Sequence, residues 1–159
     1  MLRLPDDWVW DSWTADDGET FHLYFLKAPR ALEDPSRRHA RAVIGHATST
    51  DLVEWTDHGT TLLPSEHGWD DLALWTGSTV RADDGTWRMF YTALHTARGH
   101  VLRDQRVGVV ESDVLLRWRR TAAGPRRSTR TRPPARPGAT RSSSATRTAT
   151  AGTCWSPRG

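Results

Sequence analysis

The sequence predicts an all-β fold: the first two blades of a β-propeller, followed by a tail of a different kind. Three observations carry this. Aromatic and β-branched runs recur behind tight-turn signals. Two long stretches repeat each other at a spacing of about 63–67 residues. The composition then changes abruptly, because residues 1–113 hold all 19 acidic residues while residues 114–159 hold 11 Arg and no acid.

Taken in order, "FHLYFL" (21–26) and "WRMFYTAL" (87–94) are aromatic-rich strands, and a "DDG" turn precedes each, at 16–18 and 83–85. "ARAVIGHA" (40–47) and "QRVGVVES" (105–112) supply further strands. No convincing amphipathic helix of normal length is present. "WVWDSWTADDGETFHLYF" aligns with "WTGSTVRADDGTWRMFY", which sets Trp8 on Trp75 and Asp11 on Ser78. Further on, "GHATSTDLVEW" (45–55) aligns with "GVVESDVLLRW" (108–118), matching Gly45 with Gly108, Leu52 with Leu115 and Trp55 with Trp118. A unit of several strands closed by such an edge is a propeller blade. Two related hairpins in a sandwich are the plainer alternative, but the match runs through turn, strand and closing tryptophan together. Blade one is expected at about 8–57, blade two at about 69–118, and the tail at 119–159. Two blades do not close a ring, so exposed sheet edges and a tendency to aggregate are expected.

The net charge of +3 averages two unlike segments, −8 over residues 1–113 and +11 over 114–159. The N-terminus meets Asp6 and Asp7 at once and shows no basic, apolar leader pattern. No apolar run approaches the ~20 residues of a membrane helix, and the single Cys154 excludes an internal disulfide framework. The expectation is a cytoplasmic protein without a membrane partner.

The tail is built almost wholly of Arg, Thr, Ala, Pro, Ser and Gly. One reading is a disordered basic tail able to bind nucleic acid. The sharper reading is translation out of frame. New codons can be built from the last base of each residue's codon and the first two of the next. With permitted synonymous choices, residues 135–159 then encode "EAWRDPFVFRDPDGDGWHVLVTAR", which contains a strand, a "DPDGDG" turn and "WHVLV", as a third blade requires. "RSTRTR" (127–132) recodes to "LDPDP", placing the slip near Pro125. On this reading no nucleic-acid partner is expected.

Asp11 lies inside a frame of Trp8, Trp10 and Trp13. Either the tryptophans are packing and the acid faces solvent, or aromatic faces hold a sugar ring beside an attacking carboxylate. Here "VWDSW" (9–13), "LWTGSTV" (74–80) and the recoded "WRDP" resemble the five-bladed β-propeller glycosidases of the fructan-active group, families 32 and 68, which are related to family 43. In frame, the resemblance covers residues 6–118. It implies that Asp11 is the catalytic nucleophile, that the Asp of "RDP" stabilises the transition state, and that a glutamate acid/base lies later in the chain. It also implies that Trp10, Trp75, Thr76 and Ser78 bind substrate, with Ser78 bracing Asp11 or touching the sugar. Thr76 stands where the family has serine, which keeps the hydroxyl and adds a methyl.

A retaining glycosidase needs its nucleophile and proton donor ~5–5.5 Å apart. The implied parent reaction is hydrolysis or transfer of β-fructosyl units from a sucrose- or fructan-like carbohydrate, without cofactor or metal. Two other readings stay open: an arabinofuranosidase or xylosidase lineage of the family 43 type, and a sugar-binding module without catalysis. This chain lacks in-frame "RDP" and the glutamate, so it is expected to be inactive. Trp55, Trp87 and Trp118 are expected in the core, and Asp16, Asp17, Asp83 and Asp84 in turns. Asp70 and Asp71 are expected in a solvated loop, and His39 and His46 as structural residues.

Overall fold

The computed structural model describes residues 2–96, 105–121 and 126–127. The recoded stretch, Cys154 and the rest of the tail lie outside the described residues. Strands β1 (Asp7–Asp16), β2 (Phe21–Pro29), β3 (Val43–Ser49) and β4 (Thr56–Leu62) form one antiparallel sheet in sequence order. Strands β5 (Ala73–Arg81), β6 (Trp87–Leu94), β7 (Arg106–Ser112) and β8 (Arg119–Arg120) form a second, and β9 (Arg126–Arg127) also pairs with β7. These are two propeller blades. β4 carries blade one to Leu62, past the expected limit of residue 57. Arg119 and Arg120 pair with Glu111 and Val110, so blade two takes in two residues that composition assigned to the tail.

The turns form as their residues dictate. Asp17 Oδ1 accepts the amides of Glu19 and Thr20 at 2.9 and 2.7 Å, and Gly18 takes a φ of 99°. In the second hairpin Asp84 accepts from the Thr86 amide at 2.9 Å and Gly85 takes a φ of 84°. The two turns differ in length, and this corrects the repeat. Asp16 pairs with Phe21 across four loop residues, whereas Arg81 pairs with Trp87 across five. Matching the "DDG" triplets therefore shifts the strands by two residues. The register sets Trp10, not Trp8, opposite Trp75 in the repeat, and Asp11 on Thr76, not Ser78. Gly45 and Gly108 do correspond, facing Phe25 and Tyr91.

Both glycines make room for those rings. A methyl at Gly108 would stand 2.6 Å from Tyr91 Cζ and 2.7 Å from Trp69 Cζ2. Gly108→Ala is expected to cost about 1–3 kcal/mol. A lowered urea midpoint at unchanged slope checks it, and an unchanged midpoint would show that the rings yield freely.

The core lies between the blades. Ala15, Tyr24, Leu26, Ile44 and Leu62 of blade one meet Leu74, Trp87, Met89, Tyr91, Val110 and Leu115 of blade two. Trp13 packs against this cluster, stacks on Tyr24 at 5.9 Å and donates from Nε1 to Thr79 Oγ1 at 3.1 Å. The Tyr24 hydroxyl crosses to the Leu115 carbonyl at 2.7 Å. Trp87 is buried in this core, while Trp118 is half-buried and packs against it.

A column of imidazoles backs the core. His22 and His46 are buried, with Nδ1 of the first 3.0 Å from Nε2 of the second, and His46 stacks between Tyr24 and His58. Burial first, and the neighbouring His22 and His58 next, lower the His46 pKa from 6.5 to about 4. Between those values the unfolded chain takes up a proton that the folded chain refuses. Stability is therefore complete above about pH 6.5 and falls as the pH drops toward 4, by about 3 kcal/mol at the acid limit. Urea midpoints between pH 7 and 4.5 check this. His46→Phe should flatten the slope, and an equal slope in that variant would assign it elsewhere.

Candidate active site

The site grows from a break in β1. Trp10 pairs with Leu26 and Ser12 with Phe25, which leaves Asp11 as the extra residue of a β-bulge with φ 25°. A bulge re-aims the side chain it carries, and a left-handed backbone is tolerated better by aspartate than by most residues. β5 carries a bulge at the same place, between Trp75 and Gly77, so Thr76 is its extra residue. The two bulges meet across the blades. Thr76 Oγ1 donates to Asp11 Oδ2 at 2.7 Å, and both side chains are exposed.

Each bulge follows a half-buried tryptophan, Trp10 or Trp75. A segment between β2 and β3, with short 3-10 turns at Arg30–Leu32 and Pro35–Ala40, reaches over both. Asp34 caps the second turn by accepting the Ser36 amide at 2.8 Å. The His39 carbonyl accepts from Trp75 Nε1 at 2.8 Å. The His39 ring stands edge-on to Trp10 and Trp75, with centroids 6.1 and 6.0 Å away. The Arg38 guanidinium lies 5.3 Å from the centre of the Trp10 ring. The Leu74 amide donates to the Ala42 carbonyl at 2.9 Å, which ties the end of this segment to blade two.

Asp11, Trp10, Trp75 and Thr76 thus come together at one end of the blade pair. Ser78 does not hydrogen-bond to Asp11; it lies on the face of β5 turned away from blade one, in a hollow of about 220 Å³ that it shares with Thr76, Phe90, Thr92 and Val107. The hydroxyl that braces Asp11 is that of Thr76.

The chain matches the family described as Glycosyl hydrolases family 32 N-terminal domain over residues 14–131. It belongs to glycoside hydrolase family 32. The family 32 match begins at Thr14, just past Asp11. Beta-fructofuranosidase, insoluble isoenzyme CWINV6, of Arabidopsis thaliana is 34% identical over 102 residues, 61% of this chain and 17% of that protein. Beta-fructofuranosidase 1 of Zea mays is 33% identical over 125 residues, 78% of this chain and 18% of that protein. The chain thus spans under a fifth of the length of these relatives. Among solved structures, inulosucrase from Halalkalicoccus jeotgali bound to kestose aligns with a TM-score of 0.57 at 29% identity, covering 68% of this chain and 28% of that one. A family 117 glycoside hydrolase from Zobellia galactanivorans shares the fold at TM-score 0.58 and 19% identity, covering 72% and 38%.

In this family 32 chain Asp70 stands apart from the site and is not a solvated loop residue. It is 1% exposed and accepts from Ser65 Oγ, from the Tyr91 hydroxyl at 2.8 Å and from Arg120 Nε at 3.0 Å. Burial alone would raise its pKa, but the hydrogen bonds from Ser65 and Tyr91 and the Arg120 charge outweigh it and hold the carboxyl below its ordinary value. Asp71 accepts from the Thr96 amide and hydroxyl at 2.9 and 2.7 Å and lies 2.9 Å from His95 Nδ1. Sequence reasoning missed the His39 carbonyl and the Arg38 guanidinium as parts of the site. Both act from an irregular segment with no motif of its own.

Proposed function

We propose that these two blades carry the nucleophile half of a β-fructosyl-cleaving active site, with Asp11 as the attacking carboxylate. The observation that carries this is the pair of matched bulges. They set an exposed carboxylate directly after Trp10, opposite the bulge that follows Trp75, and fix one of its oxygens with the Thr76 hydroxyl. A hydroxyl on Oδ2 orients the group and leaves the other oxygen to attack the anomeric carbon. Trp10 and Trp75 offer apolar surface to a furanose ring, and polar groups around it would fix its orientation. Family membership and the beta-fructofuranosidase and inulosucrase relatives support a sucrose- or fructan-like substrate.

The chain of 159 residues should bind sugar weakly and turn none over. A proton donor needs a carboxyl whose pKa is raised toward neutrality. Asp17, Asp34, Asp51, Asp70, Asp71 and Asp84 are instead held below the ordinary value by turn, cap or core hydrogen bonds. The resemblance puts the acid/base glutamate later in the parent protein, and the recoded tail makes the alternative frame the place to look for it. The test compares fructose release from sucrose by this chain and by a protein continued in that frame. No release by the first and release by the second is expected. Release by the short chain that Asp11→Asn abolishes would contradict its inactivity. Failure of the continued, folded protein on every β-fructoside would contradict the substrate class.

A further inference from the structure

The contact between the two blades recurs in part in the sequence: the counterparts of Tyr24 and Ile44 are apolar, while that of Trp13 is Ser78. Blade one turns Trp13, Tyr24 and Ile44 toward blade two. The strand registers give these residues counterparts in Ser78, Phe90 and Val107, on the face of blade two turned away from blade one. On that face Phe90 is 37% and Val80 46% exposed. The receiving side repeats too. Trp87, Met89 and Leu115 of blade two, which pack under blade one, correspond to Phe21, Leu23 and Leu52 of blade one.

The last pair shows the relation most clearly. Leu115 follows Ser112-Asp113-Val114 and Leu52 follows Ser49-Thr50-Asp51 in the same edge segment, and both hold a left-handed backbone, with φ of 60° and 63°. Such a backbone is unfavourable for leucine. Leu115 is 1% exposed, and its carbonyl receives the Tyr24 hydroxyl. Leu52 has the same preformed shape and is 52% exposed.

We propose that the open face of blade two docks on the Leu52 side of blade one in a second copy of this chain, head to tail, reproducing in part the contact already made inside each copy. The occupant is a second copy because the chain itself carries both halves of the contact, shaped by the same registers. Such a contact is heterologous: it adds copies until the rotation closes. The contact does not depend on the proposed fructosyl chemistry.

Sedimentation of the full chain over a concentration series tests it. The mass should rise from one chain to two or more. Phe90→Asp and Leu52→Asp should each hold the chain monomeric. An equimolar mixture of the two variants should form a two-chain species and nothing larger, because each variant keeps one good face. Phe90→Tyr restores the hydroxyl that Tyr24 uses and should tighten association several-fold. Should Phe90→Asp lose its native tryptophan fluorescence, Val80→Asp on the same face replaces it. A wild-type chain that stays monomeric throughout would overturn the proposal. So would a Leu52→Asp variant that still dimerises, since that pairing would be face to face.

Discussion

Asp11→Asn, introduced into a protein continued through the alternative frame, is expected to lower turnover of sucrose by at least about 10³-fold. Asparagine keeps the shape of the side chain and an oxygen for the Thr76 hydroxyl, so the bulge and both tryptophans should stay in place. What it removes is the charge and the second oxygen that would bond to the anomeric carbon. Sugar binding should therefore survive while turnover collapses, a split that a purely structural aspartate would not give. An activity within a few-fold of the parent would show that the bulge is architecture and that another acid attacks.

Asp70→Ala is expected to cost about 3 kcal/mol of stability. The carboxylate joins the segment before β5, through Ser65, to β6 through Tyr91 and to β8 through Arg120. Its removal leaves a buried tyrosine hydroxyl without its acceptor and takes the carboxylate from a partly exposed Arg120, which still donates to the Leu63 carbonyl. Asp70→Asn keeps an acceptor and should cost less. Because the folded pKa lies below the ordinary 3.8, the ionised form stabilises the fold at neutral pH. That contribution fades only as the pH falls from about 4 through the lower folded value. Chemical denaturation at pH 7 decides the matter: equal midpoints for wild type and Asp70→Ala would mean that Arg120 and Tyr91 find other partners.

Much of the fold was legible because its signals are local. The "DDG" turns declare themselves through the side-chain oxygens of Asp17 and Asp84 and the positive φ of Gly18 and Gly85. The second half of the repeat, from Gly45 to Trp55, shows its register because a glycine must sit under an aromatic ring in both blades. The first half does not. A turn longer by one residue hides the correspondence of Asp11 with Thr76, and bulges leave no mark in strand periodicity. Ser65 is a near neighbour of Asp70, but its other partners, Tyr91 and Arg120, lie 21 and 50 residues further on, so composition could only assign it to a polar loop. The change in composition also concealed β8, since two arginines read as tail until one of them reaches a buried carboxylate. In the site, Asp11, Trp10 and Trp75 could be named from their motif, whereas the His39 carbonyl could not, because any residue supplies that atom.

As the proposed nucleophile, Asp11 should bond covalently to a fructosyl unit during turnover. The most direct measurement is mass spectrometry of peptides from the frame-continued protein, quenched in acid during turnover of sucrose. One hexosyl unit is expected on the peptide containing residues 9–13, absent in Asp11→Asn. A hexosyl unit on any other carboxylate, or continuing turnover in Asp11→Asn without a label, would contradict it.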